Sequence, residues 1–197
     1  MARGYIQRAL AMLGALIIAG CFDEPEPAYK SVPAENRVYL SDKGLTKLPK
    51  INPKADYLNL DRNELDSVKG VEELTELKWL RLNHNHLIDL PNLKPLTKLR
   101  RIYLKNNHFS TVPEALKELP ALTDIELSGN PITEIPQWLA QKQGLKNLAF
   151  NHTRISKLPE DISAWQGLQS LQLGNLRLSA AEMARIRKAL PNVSIVF

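Results

Sequence analysis

The chain has 197 residues, a formal net charge of +5 at pH 7 and one cysteine, Cys21. A single thiol excludes an intramolecular disulfide framework. If Arg3 and Arg8 leave with an N-terminal leader, 26 basic residues become 24 against 21 acidic, a net +3, which is too mild to point to nucleic acid.

Arg3 and Arg8 make a positive start, and Ala9 to Gly20 is an unbroken small and apolar run. About twelve such residues are too few to cross the hydrocarbon core, which takes roughly twenty. The pattern predicts a secretory signal peptide over residues 1–20. Its end, Leu16-Ile17-Ile18-Ala19-Gly20-Cys21, resembles a bacterial lipobox. The resemblance implies cleavage just before Cys21, acylation of its thiol and anchorage to the cell envelope. Phe22 rather than aspartate follows the cysteine, which in Gram-negative families implies the outer membrane. The stretch to Asn36 is rich in Pro, Glu and Asp without apolar periodicity. It cannot bury enough surface to fold by itself and reads as a disordered tether over 21–36.

From residue 37 to 178 a segment of the form LxxLxLxxNxL recurs. Its middle position falls at Leu60, Leu82, Leu104, Leu127, Phe150 and Leu173, in steps of 22, 22, 23, 23 and 23 residues. A shorter unit, Val38-Tyr39-Leu40 followed by Leu45 and Leu48, precedes them, which makes seven coils. Self-similarity at this period marks a solenoid in which no unit buries its apolar face alone. The LxL core alternates with period two, so each coil should supply a short strand with its apolar residues inward. Strands of successive coils should pair in parallel, about 4.8 Å apart.

Asn63, Asn85, Asn107 and Asn130 form one column where the chain leaves the strand. A buried turn needs partners for its backbone groups, and an asparagine amide offers donors and an acceptor in a small volume. It is expected to serve the turn of its own coil and of the next. Thr153 takes the position in the sixth coil, and Lys43 and Leu176 depart from it at the ends. Beyond each turn, Leu48-Pro49, Leu90-Pro91, Val112-Pro113, Ile135-Pro136 and Leu158-Pro159 predict short helical or 3₁₀ turns opened by proline. Leu116 and Leu119, and Ile162 and Trp165, should return to the core, whereas Lys142 stands where an apolar residue is due. The period ends at Ser179, which has capping-box spacing to Glu182. Met183, Ile186, Ala189 and Leu190 follow at helical spacing, and Val193 to Phe197 reads as a last strand. Residues 179–197 are thus a helix and strand that cap the solenoid.

On these motifs, residues 37–197 resemble a bacterial leucine-rich repeat protein, and with the lipobox the chain resembles a bacterial leucine-rich repeat lipoprotein. The resemblance implies an α/β fold, a curved solenoid with a parallel concave sheet and short helical or 3₁₀ convex segments. It implies a binding scaffold rather than an enzyme.

The chain has four histidines. His86 and His108 share a column one coil apart, but a zinc site needs three or four converging ligands. A solvated or partly packed pair is the plainer reading, with no metal and no cofactor. No Ser-His-Asp order, phosphate loop or carboxylate pair suggests catalysis.

The outward strand positions carry the functional expectation. The first four coils display Tyr39, Tyr57, Trp79 and Tyr103 among Arg81, Arg101 and Lys105, while the last two display small neutral groups. Solvent-facing aromatics beside arginine are typical of interface hot spots. The partner is therefore expected to be a protein, contacted by Tyr57, Trp79, Arg81, Arg101, Tyr103 and Lys105. A glycan or anionic polymer stacked on Tyr57, Trp79 and Tyr103, with Asp61 and Asn83 beside them, is the alternative, and a structural envelope component without a ligand is the third. The convex face, with Trp138 expected to be exposed, is the fallback surface.

Overall fold

The structure is a computed structural model that describes residues 36–197. The expected leader, Cys21 and all of the tether except Asn36 lie outside the described residues.

Eight strands form a single parallel sheet in chain order. They are β1 (Arg37–Tyr39), β2 (Tyr57–Asn59), β3 (Trp79–Arg81), β4 (Arg101–Tyr103), β5 (Asp124–Glu126), β6 (Asn147–Ala149), β7 (Ser170–Gln172) and β8 (Ser194–Val196). The register is unbroken: Val38, Leu58, Leu80, Ile102, Ile125, Leu148, Leu171 and Ile195 stand side by side. From Leu58 to Leu171 this inward column is essentially inaccessible. Each such side chain contributes about 1.5–3 kcal/mol when withdrawn from water. Phe109, Phe150 and Trp165 are the bulkiest fully buried residues.

The asparagine column runs under the sheet as a hydrogen-bonded ladder. Asn107 Nδ2 donates to Leu104 O at 3.0 Å within its own coil and to Leu82 O at 2.9 Å, while its Oδ1 accepts from Leu87 N at 3.1 Å. Asn85 and Asn130 repeat the arrangement, and Asn63 does so toward Leu40, Lys43 and Leu45. Each amide therefore joins its own coil to the preceding coil, and the expectation of a link to the next coil was reversed in direction. Thr153 donates only to Phe150 O of its own coil, at 2.8 Å.

One residue ahead of this column the backbone turns left-handed in every coil. Asp42, Arg62, His84, Asn106, His152 and Asn175 all have φ between 52° and 61°, and Gly129 has φ 72°. Non-glycine residues reach this region at a cost of about 1–2 kcal/mol, so stacking sustains it. In the fifth coil the position is Gly129, and a Cβ there would lie 1.9 Å from Asn106 Oδ1, so the Asn106 side chain would have to move.

The opposite side is irregular. Helix α1 (Gln137–Ala140) follows Pro136, and a 3₁₀ turn over Glu114–Leu116 follows Pro113. Another over Ser163–Gly167 starts four residues after Pro159, and no helical turn adjoins Pro49 or Pro91. Proline thus marks the bend but opens helix in only two of five coils. In the second coil, the turn over Val71–Glu73 starts from Gly70, whose φ is 102°. Leu116, Leu119, Ile162 and Trp165 are all buried, and Trp165 Nε1 donates to Leu139 O at 3.0 Å. Lys142 is half-buried and donates to Lys117 O at 2.9 Å. Burial pushes its ammonium below the ordinary lysine value, with Glu118 opposing.

Helix α2 (Ala180–Ala189) covers the C-terminal end. Ser179 Oγ accepts from Glu182 N at 3.1 Å, half of the expected capping box. Glu182 turns inward instead of back to Ser179. It is buried, and Oε1 accepts from Leu158 N at 2.9 Å and from Arg185 at 2.7 Å. Arg185 also donates to the carbonyls of Leu158, Pro159 and Glu160. This charged pair fastens the cap to the sixth coil.

Candidate functional site

Period two places every second strand residue on the outer face of the sheet, and the parallel register aligns these residues in columns. The first column runs Arg37, Tyr57, Trp79, Arg101, Asp124, Asn147, Ser170. The second runs Tyr39, Asn59, Arg81, Tyr103, Glu126, Ala149, Gln172.

Across β1 to β4 the rings touch in a diagonal series. Tyr39 and Tyr57 have centroids 5.1 Å apart, Tyr57 and Trp79 6.2 Å, and Trp79 and Tyr103 6.4 Å, all tilted. The guanidinium of Arg101 lies 4.1 Å over the Trp79 ring, and that of Arg81 lies 5.3 Å over Tyr103. Each such contact is worth about 0.5–1 kcal/mol at an exposed site and more when desolvated. Carboxylates hold the same arginines. Arg81 Nε is 2.8 Å from Asp61 Oδ2, and Arg101 Nε is 3.6 Å from Asp124 Oδ2.

This packing corrects the expected exposure of two members. Tyr57 is 2% and Tyr103 8% exposed, because neighbouring rings and arginine stems close over them. Trp79, Arg81, Arg101 and Lys105 remain half-open, and Tyr39 is 50% exposed. The phenol of Tyr103 is pushed above its ordinary value by burial, with Arg101 pulling it down.

Asp61 and Asn83 are also not free polar groups. Asp61 Oδ1 accepts from Asn83 N at 2.8 Å, and Asn83 Oδ1 accepts from Lys105 N at 2.9 Å. Asn151 repeats this to Gly174 N at 2.6 Å. They form a second ladder, on the opposite side of the strand exit from the Asn63 column, which sequence reasoning missed. The available signal was the recurrence of Asp or Asn at the position right after LxL. Between the ladder and the second column lies a depression of about 230 Å³, lined among others by Asn59, Asp61, Arg81, Asn83, Tyr103 and Lys105.

His86 and His108 stack with centroids 5.6 Å apart, and their nearest nitrogens are 3.4 Å apart. Among the described residues no third His, Cys, Asp or Glu joins them as a cluster suited to a metal. Trp138 is half-buried, not exposed as expected, because its ring packs on the core and Nε1 donates to Glu114 at 2.7 Å.

The model for two copies of leucine-rich repeats matches residues 75–118. Among solved structures, the chain is 28% identical to a leucine-rich repeat protein of Leptospira interrogans, with TM-score 0.62, covering 77% of this chain and 46% of that one. The fold is a leucine-rich repeat solenoid. YopM from Yersinia enterocolitica is 27% identical with TM-score 0.59, over 73% of this chain and 30% of YopM. An internalin from Listeria monocytogenes, 23% identical with TM-score 0.57 over 73% of this chain and 47% of its own, shares the fold. The solenoid spans less than half the length of each of these structures. No curated protein matches the chain. Leucine-rich repeat proteins are typically interaction scaffolds, which fits a long regular outer face.

Proposed function

We propose that this leucine-rich repeat solenoid binds another protein through the sheet face of its second to fourth coils, at Trp79, Arg81, Arg101 and Lys105, with Tyr57 and Tyr103 as their support. The observation that carries this reading is the stack of Arg101 on Trp79, with Arg101 also within ion-pair reach of Asp124. Side chains already ordered by stacking and ion pairing lose little rotamer entropy on contact. The same geometry argues against the glycan alternative, since a sugar needs an open ring face. Arg101 covers that of Trp79, and Tyr57 has almost none.

The chain is further proposed to be an envelope lipoprotein anchored by acylated Cys21, at the outer membrane in a Gram-negative cell. The lipobox-like run ending at Cys21 and the lone thiol support this. Membrane fractionation of wild type against Cys21→Ser tests it. Equal partition of both into the pellet, with no acyl mass on the wild type, refutes the anchor.

The binding test captures partners from the native cell by crosslinking and compares folded Trp79→Ala and Arg101→Ala with Gln172→Ala. Trp79→Ala should lose about 2 kcal/mol or more of affinity, whereas Gln172→Ala should lose little. Full retention of the partner by the first two variants removes this face from consideration.

A further inference from the structure

The sheet face carries charge of both signs, but a partner meets only one of them. From the residue before each strand to the second residue after it, the seven coils hold seven cations and four acids, Asp56, Asp61, Asp124 and Glu126. All four acids are buried. The side chains of Asp56, Asp61 and Asp124 are 10%, 11% and 12% exposed, whereas their cationic partners Lys78, Arg81 and Arg101 are 46%, 26% and 29% exposed. Glu126 Oε1 accepts from Ser128 N at 2.7 Å, and Asp124 Oδ1 accepts from Asn147 Nδ2 at 2.6 Å. A carboxylate on one or two methylenes stays at the sheet, while the longer lysine and arginine stems carry their charge past it. The charge left open on this face is therefore positive throughout, which the mild net charge of the chain conceals.

The cations are also gathered in one place. Lys78, Arg81, Arg100, Arg101 and Lys105 belong to coils three and four, and the acids belong to coils two and five on either side. Asp56 reaches Lys78, Asp61 reaches Arg81 and Asp124 reaches Arg101, so the flanking coils order the band between them. The band is two strands wide, about 4.8 Å apart, and from Arg101 to Lys105 it runs about 13 Å along the strand. The exposed acids Asp42 and Glu64 stand past the strand exits of coils one and two. Beyond coil five only Lys146 continues the charge. A long anionic polymer laid across the coils would leave the band for Asn147, Ser170 and Gln172.

We infer that the protein partner presents a short, extended acidic segment to this band, with two carboxylates four residues apart. One meets Lys78, Arg100 and Arg101, and the other meets Arg81 and Lys105. The inference rests on the proposed use of this face and names the chemistry of what binds there. Four residues of extended chain span about 13 Å, and period two puts both carboxylates on the same side. Arg81 and Lys105 line the depression of about 230 Å³, which has room for the second carboxylate. An apolar side chain between the two has the half-open Trp79 ring to meet, a group that a phosphate chain or a lipid headgroup does not use. Guanidinium groups already held by rings and carboxylates need little further ordering when a new carboxylate arrives.

The test measures binding of a fluorescein-labelled pentapeptide, Glu-Ser-Phe-Ser-Glu, to the full-length chain in nonionic detergent. The comparison is the same peptide with glutamine in place of both glutamates. The acidic peptide should bind about tenfold tighter at low salt, and high salt should erase the difference. Arg100→Gln and Lys105→Gln, changes to open heads that leave the ring stack intact, should each weaken it about threefold. Lys146→Gln, outside the band, should leave it unchanged. Equal binding of the two peptides overturns the inference. So does binding of polyphosphate or phosphatidylglycerol vesicles without binding of the acidic peptide, which assigns the band to a phosphate polymer or a bilayer. In the crosslinking capture, a partner lost with Trp79→Ala but kept with both Arg100→Gln and Lys105→Gln leaves the face in use and overturns only the acidic match.

Discussion

Coils two to four and coils five to seven share one interior and differ on almost everything that faces out. Leu80, Ile102, Leu148 and Leu171 occupy the same inward position and are equally inaccessible. On the outer face the first group has Tyr57, Trp79, Arg101, Arg81 and Tyr103, where the second has Asp124 and Glu126 followed by Asn147, Ser170, Ala149 and Gln172. Beneath the strands Asn63, Asn85, Asn107 and, in the fifth coil, Asn130 tie each coil to the one before it, whereas in the sixth coil Thr153 bonds only within its own coil. Stacking constrains the inward face and the turn, and it leaves the outer columns to vary. A difference confined to the outer face therefore bears on recognition rather than on folding.

The largest effect should come from breaking the turn ladder where it bridges coils. Asn107→Leu strands Leu87 N, at about 1–3 kcal/mol for an unsatisfied buried group, and takes one of two amide donors from the carbonyls of Leu82 and Leu104, which keep Asn85 and Asn130. Denaturant unfolding should show a loss of about 2–3 kcal/mol on that basis. An unchanged midpoint would refute the account of the ladder. Thr153→Val removes a single bond within one coil and should cost about 1 kcal/mol. If the two variants behave alike, the contrast between the halves is not carried by their turns.

The cap joins the second group of coils through a charge. Glu182→Gln weakens its bonds with Arg185 and Leu158 N and should cost about 1–3 kcal/mol near neutrality. The Glu182 carboxyl is held below its ordinary value of 4.5, first by the hydrogen bond from Arg185, with the Leu158 amide helping and burial opposing. A depressed folded pKa contributes stability above the unfolded value and loses it as pH falls through the folded one. The gap between wild type and Glu182→Gln should thus close below pH 4.5. A gap that persists there would place the contribution in packing.

On the outer face the contrast is one of ionisation as well as affinity. Burial raises the Tyr103 phenol above its ordinary value of 10.0. Ultraviolet titration of wild type against Tyr103→Phe should show the missing step above that value. A raised acidic pKa contributes stability that is lost as pH rises past 10, a small effect specific to the aromatic coils. A Tyr103 step at the ordinary value would mean that the ring stack is open in solution.

Much of the site was readable from the period alone. Tyr57, Trp79, Arg81, Arg101 and Tyr103 stand side by side because a strand repeat of 22 or 23 residues aligns them whatever else the chain does. What the columns do not encode is which side chains lean on which. Neighbours 22 residues away decide that Tyr57 is covered while Tyr39 is open, and that the arginines lie over the rings. The asparagine column was evident from its spacing, but its direction of reach was not, because the choice between preceding and following coil depends on the handedness of a left-handed turn.

The sequence by itself determined the solenoid, the number of its coils, the inward leucines and the place where the repeat stops, since period and alternation act locally. Only the tertiary structure decided the stacked arginines, the second ladder through Asp61 and Asn83, the inward turn of Glu182 and the half-burial of Trp138. Each of these depends on a partner in another coil. Such a partner can be placed in the right column from sequence, but its distance and rotamer follow from packing.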